Sequence, residues 1–333
     1  MAGAGGHGGA ARECSAAGDG TGGRGPGASA ARSAGSAASP RILELLALAE
    51  EQPELPALQP YPADPDPAVR RAVVATLTET APPGTGPALA AALADADSGV
   101  RADAAASLRE LDEVLPPDAA LREPLVHGLD VAEPVVRAAA LDVLRALGLG
   151  DAELFARALT DAAIGVRIQA VRGLVSVAHS PRWSREPRTR RERCGWRRRG
   201  RWALWRPAAD ARRLLTPLLR DPDVLVRAAA LEALAPAGCP APLDAEVVAA
   251  LGDSAWQVRK GAATALSAAA PELGVPALGR ALADPHADVR KAAVLALLPL
   301  AEREVGAREA FSSVRSDPDA EVRAYAARAS ATA

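Results

Sequence analysis

Starting at Arg70, a Val-Arg dipeptide framed by an Asp upstream and an Ala/Leu stripe downstream recurs at intervals of 31, 36, 30, 60, 32, 31 and 33 residues. A period in the thirties that keeps one turn and one apolar face is how a stacked array is written, because a single unit cannot bury its own apolar face. This recurrence outranks the length: 333 residues would otherwise suggest about two closed domains. Hydrophobic residues make up 49% of the chain but aromatics only 3%. The core is therefore built from Ala, Leu and Val, which suits closely stacked helices better than a sandwich or barrel.

Eight turns are visible, ending at Arg70, Arg101, Arg137, Arg167, Arg227, Arg259, Arg290 and Arg323. Seven place an Asp six residues before the Arg: Asp64, Asp95, Asp161, Asp221, Asp253, Asp284 and Asp317. The exception pairs Asp130 with Arg137 and has one residue more. Apolar positions after each Val fall at one helical face, as in Val226, Ala229, Ala230, Ala233 and Leu234, which marks the second helix of a hairpin. Shorter first helices are expected upstream, for example over 87–94, 151–160, 211–220, 245–252 and 276–283, with prolines at or before their starts. The expected fold is all-α, an α-solenoid of about nine helical hairpins.

The turn Asp is expected to cap the second helix by accepting its unpaired N–H groups, with its charge at the positive end of the helix dipole. The Arg six residues on can reach an Asp of its own or an adjacent turn, giving an Asp/Arg ladder along the stack. As exposed pairs these rungs would each contribute about 0.2 to 1 kcal/mol and set register rather than hold the array together.

The repeated Asp-Pro-x-x-x-Val-Arg-x-x-Ala-x-x-x-Leu pattern resembles HEAT-repeat proteins, specifically the short HEAT-like repeats associated with phycobilin lyases, over roughly residues 41 to 330. That resemblance implies the fold firmly and the function weakly, since relatives include scaffolds, chaperone-like factors, bilin lyases, hydroxylases and DNA glycosylases. HEAT-like deoxyhypusine hydroxylases carry His-Glu dipeptides as iron ligands. Here the histidines are followed by other residues, as in His7-Gly, His127-Gly, His179-Ser and His286-Ala. Zincin, nucleophile-elbow and P-loop motifs are missing from the sequence as well. His286 is read as a solvated turn residue. The expectation is a non-catalytic scaffold or adaptor that binds protein partners along a concave face of second helices, without cofactor or metal. A bilin-lyase-like enzyme or chaperone and a HEAT-like DNA glycosylase are the alternatives.

Trp256 stands where most turns carry a small residue, and is either a packed structural ring or an interface anchor. Cys14, Cys194 and Cys239 form no pairing framework, which fits a reducing cytoplasm. Cys239 is read as an inert loop thiol. No apolar stretch long enough for a membrane span occurs.

Four segments follow. Residues 1–39 are Gly/Ala/Ser-rich, read as a disordered tail or as translation from a start codon set too far upstream. Residues 40–178 and 211–333 carry the two blocks of repeats. Between them 179–210 is anomalous: Arg182 to Arg206 holds eleven Arg, two Glu and four of the five Trp, a charge of +9 that leaves −11 elsewhere. It is read as a basic arm, an ordinary loop, or a compensated frameshift. A neighbouring frame spells Ala-Ala-Asp-Pro-Ala-Arg-Ala-Val-Arg-Val-Ala-Ala-Ala, a HEAT-like turn, and its Val-Arg would divide the interval of 60 residues into about 28 and 32. On that reading the flanking repeats lose a neighbour and expose apolar faces. The charge outside this segment makes nucleic acid an improbable partner.

Overall fold

The computed structural model describes residues 39–179, 207–237, 241–301 and 304–331. The expected tail up to residue 38, the segment Arg182–Arg206, His7 and all three cysteines lie outside the described residues. Regular structure among the described residues is helical throughout. The helices are α1 (Pro40–Glu50), α2 (Leu55–Leu58), α3 (Pro67–Thr80), α4 (Thr85–Ala92), α5 (Ser98–Glu110), α6 (Arg122–His127), α7 (Pro134–Ala146), α8 (Ala152–Ala158) and α9 (Ile164–His179). After residues 180–206 come α10 (Pro207–Leu215), α11 (Val224–Ala237), α12 (Ala241–Ala250), α13 (Trp256–Ala265), α14 (Pro271–Ala281), α15 (Ala287–Ala301), α16 (Val305–Ala310) and α17 (Ala320–Ala331).

These helices form eight hairpins, each second helix packed on the next: α3 on α5, α5 on α7, α7 on α9, α9 on α11, α11 on α13, α13 on α15 and α15 on α17. A ninth hairpin would fall on residues outside the described ones. The architecture is the α-solenoid that the repeat spacing implies. First helices begin earlier than their prolines suggest; Pro276 sits inside α14, whose first residue is Pro271, since a proline at the first helical position sacrifices no hydrogen bond.

Small residues permit the close stacking. Gly261 of α13 meets α11 so tightly that a Cβ there would lie 2.8 Å from the Ala228 carbonyl oxygen. Phe155 of α8, fully buried, lies over Gly173 of α9, where a Cβ would come within 2.1 Å of its ring. The Phe155 ring therefore fills the space that any other residue at 173 would need.

The junction across residues 180–206 corrects the expectation that its flanking repeats lack a neighbour. α9 packs directly on α11 and on α10. Val166, Val171 and Leu174 on one side and Leu215, Val226 and Leu231 on the other are all buried. The two blocks are consecutive layers of one stack.

Candidate functional site

One hydrogen-bonding unit recurs at every turn. The Nη1 of each of the eight turn arginines donates to the backbone oxygen six residues before it: Arg70 to Asp64 at 2.7 Å, Arg167 to Asp161 at 2.9 Å, Arg290 to Asp284 at 2.9 Å and Arg323 to Asp317 at 2.6 Å are examples. This bond is the physical reason for the six-residue spacing. It also explains the exception, because Arg137 donates to Val131 at 3.0 Å. Val131 therefore holds the equivalent place in the third turn, and Asp130 stands one residue outside it.

The rest of each guanidinium reaches forward to the next repeat. Arg70 grips Asp95 through Nε at 2.7 Å and Nη2 at 2.8 Å. Arg137 holds Asp161 at 2.8 and 2.8 Å, Arg259 holds Asp284 at 2.7 and 3.0 Å, and Arg290 holds Asp317 at 2.7 and 2.8 Å. Arg227 reaches Asp253 through one bond of 3.4 Å. Arg101 finds Glu133 instead of Asp130: with Val131 in the ladder position, the glutamate two residues on supplies the carboxylate. Arg41 of α1 adds a rung to Asp64, which repeat spacing could not reveal because no Val-Arg turn precedes it.

Two expectations about the turn are corrected. The ladder Asp does not cap the second helix. Its carboxylate accepts the N–H of the residue two positions on, as from Asp66 to Asp64 at 2.9 Å and from Asp319 to Asp317 at 2.8 Å. Where that second residue is itself an Asp, it is the cap: Asp66 accepts from Ala68, Asp97 from Val100, Asp223 from Leu225 and Val226, and Asp319 from Glu321 and Val322. Nor are the rungs made by the turn arginines exposed. The side chains of Arg290 and Asp317 keep 11% and 5% of their accessibility, because neighbouring turns close over them. Fork geometry and partial burial make the two-bonded rungs stronger than surface pairs.

The electrostatics agree. Hydrogen bonds from Arg70, Arg137 and Arg290 hold the carboxyls of Asp95, Asp161 and Asp317 below the usual carboxylate range against the opposing effect of burial. Burial is the largest influence on Asp284 and pushes its pKa up, but Arg259 and the His286 backbone N–H together bring it below the ordinary value.

Trp256, the first residue of α13, stacks on His286 of the next turn with ring centroids 4.0 Å apart and planes 4° from parallel. His286 is therefore half-buried rather than a solvated turn residue. Its Nδ1 accepts the Asp288 N–H at 3.3 Å, and its own N–H donates to Asp284 at 2.8 Å. The tryptophan is at least a structural brace between two repeats.

Second helices α13, α15 and α17 enclose an open groove of about 490 Å³. Leu295, 47% exposed, forms its floor with Ala292 and Ala296, and Tyr325 forms a wall. The only two lysines of the chain stand on its rim. Lys260 is paired with Glu232 at 3.0 Å, and Lys291 with Glu321 at 2.7 Å, Asp319 at 3.4 Å and Asp288 at 3.5 Å. The Glu321 hydrogen bond leads a set of carboxylates that raise the Lys291 ammonium above the ordinary lysine value. Sequence reasoning missed this groove; the concentration of both lysines in two successive repeats was the available signal.

The family description "HEAT repeats" matches residues 28–109, 55–145, 211–298 and 243–331, more than half of the chain. The chain is a HEAT-repeat protein. No curated protein matches this HEAT chain significantly. Among solved structures it is similar to E. coli YibA (20% identity, 66% of this chain and 71% of that one, TM-score 0.43) and to an engineered protein (20%, 73% and 94%, TM-score 0.39). It is also similar to human deoxyhypusine hydroxylase in complex with glycerol (21%, 87% and 96%, TM-score 0.32). The fourth turn, where Arg167 donates to the Asp161 carbonyl, and the α8–α9 hairpin carry the same array through residues 146–179, which the family match leaves out.

Proposed function

We propose that this HEAT-repeat chain is a non-catalytic cytoplasmic scaffold that binds a protein partner along the face of its second helices, with the groove between α13, α15 and α17 as the contact. The observation carrying this reading is the groove's chemistry: an aliphatic floor around Leu295, an aromatic wall at Tyr325, and lysines already neutralised by four carboxylates. Four acids around two ammonium groups repel phosphate, so a polypeptide fits this surface better than a nucleic-acid backbone. Interfaces are commonly built from a central apolar anchor with a satisfied polar rim.

The test is affinity capture from the source cell lysate with wild-type protein and with Leu295→Asp. A partner retained by the first and lost by the second, with helical circular dichroism unchanged, supports the reading. Equal capture by both removes this groove from the function.

A further inference from the structure

Taken as the contact for a protein partner, the groove between α13, α15 and α17 also selects the side chain that enters it, an inference that rests on that reading. The groove is open. Of its three floor residues Ala292 and Ala296 are buried and only Leu295 is exposed, with the Tyr325 ring at one side. That is a strip of hydrocarbon and not a socket that could enclose a bulky apolar group. The rim hydroxyls are spent on the backbone, Thr264 donating to the Lys260 oxygen at 3.0 Å and Ser267 to the Thr264 oxygen at 2.7 Å. What the rim has in surplus is carboxylate. Lys260 and Glu232 balance one another, whereas Lys291 alone meets Asp288, Asp319 and Glu321, so three carboxylates around one ammonium leave a net charge of −2 there. Asp319 also caps α17. The side chains of Glu321 and Asp288, however, keep 67% and 43% of their accessibility, and a carboxylate has about four acceptor positions, more than one lysine bond uses.

The chain itself shows what sits on such a surface. In its first layer Arg41 places its guanidinium carbon 4.9 Å from the centre of the Tyr61 ring and bonds the Asp64 carboxylate. The groove holds the same two recognition elements, a tyrosine ring and carboxylates. Glu321 and Tyr325 are four residues apart on α17 and adjoin on one helix face, and Asp288, Lys291 and Leu295 follow one another at three- and four-residue steps on α15. Leu295 and Lys291 lie about 6 Å apart along that helix, a span that the aliphatic stem of an arginine covers. A lysine has no planar group to lay on the ring and no fork for a carboxylate. An acidic or phosphorylated group would meet the carboxylate surplus.

We propose that the groove seats an arginine side chain of the partner protein. The stem lies along Ala292 and Leu295, the guanidinium plane rests on the Tyr325 ring, and its N–H groups donate to the exposed oxygens of Glu321 and Asp288. Burial of the stem and the cation–π contact hold the side chain, and the charge-assisted hydrogen bonds select arginine over other residues.

The experiment uses the full chain with isotope-labelled tyrosine, whose NMR signals come from Tyr61 and Tyr325 alone. A flexible Gly/Ser peptide of about ten residues carries one central arginine, and matched peptides carry lysine, citrulline or phenylalanine in its place. The arginine peptide should shift the Tyr325 signal saturably and leave Tyr61, already covered by Arg41, unmoved. It should bind at least about tenfold more tightly than the citrulline peptide and more tightly than the lysine peptide, and the double variant Asp288→Asn, Glu321→Gln should lose about tenfold or more. The peptide comparison on the unaltered protein stands even without that variant. No shift of Tyr325, equal binding of the citrulline peptide, tighter binding of the phenylalanine peptide, or full affinity in the double variant overturns the proposal. If arginine binding fails while Leu295→Asp still abolishes partner capture, the arginine assignment falls and the scaffold reading stands. If arginine binds Tyr325 as described while Leu295→Asp captures the partner as well as wild type, the arginine site stands and the groove's part in the scaffold reading falls.

Discussion

Two joints of the array carry the same chemistry over very different chain intervals. Between α15 and α17, Arg290 and Asp317 are 27 residues apart and meet through a fork of 2.7 and 2.8 Å. Between α9 and α11, Arg167 and Asp221 are 54 residues apart and meet through one bond of 2.9 Å, leaving the buried Arg167 Nε without a partner. The apolar layers nevertheless close at both places. Doubling the length of a connection costs only about 0.6 kcal/mol in closure entropy, far less than burying several Val and Leu side chains returns. Layer packing thus decides which repeats are neighbours, and the rung fixes their register.

Acid should affect the forked joints most broadly. Asp95, Asp161, Asp284 and Asp317 have folded pKa values below the ordinary carboxylate value. Their stabilisation is complete above the unfolded pKa of about 4 and is lost as pH falls through the folded values. Urea denaturation should therefore give a flat stability between about pH 5 and 7 and a steep fall below about pH 4. Asp317→Asn should make that fall shallower.

Among single substitutions, Asp317→Ala should cost about 3 kcal/mol, because it strands the buried Arg290 guanidinium. Asp221→Ala should cost less, about 2 kcal/mol, since it removes one rung bond together with the bond from the Asp223 N–H. Matched denaturation curves check the order; equal losses would show that fork geometry adds nothing. Smaller still is the effect of removing residues 182–206. The shortened protein should keep its helicity and differ in stability by less than about 1 kcal/mol.

Much of this was legible in the sequence, and the limits have physical causes. The Val-Arg period identified the hairpins and the solenoid, because backbone turn geometry repeats wherever the stack repeats. The ladder arginines were visible for the same reason. The division of labour within the turn was not: Asp64 and Asp66 are both carboxylates two residues apart, and only the fold shows that the first takes the rung and the second the cap. Glu133 replaced Asp130 because Arg137 counts six residues back along the backbone, a constraint that side-chain type does not reveal. The Trp256–His286 stack and the lysine-rimmed groove join residues about thirty positions apart. They follow from stacking and not from any local motif. The interval of 60 residues suggested a missing layer, since a period alone does not show that α9 and α11 pack directly on one another.

A double-mutant cycle on Arg167→Ala and Asp221→Ala tests the continuity of the array most directly. Residues 54 apart in sequence interact only if α9 and α11 are stacked as neighbours. Stability measured by urea denaturation for the two single variants and the double variant should give a coupling energy of about 1 kcal/mol or more. Strictly additive losses would contradict the account, because they would mean that the two blocks of repeats do not meet at this joint.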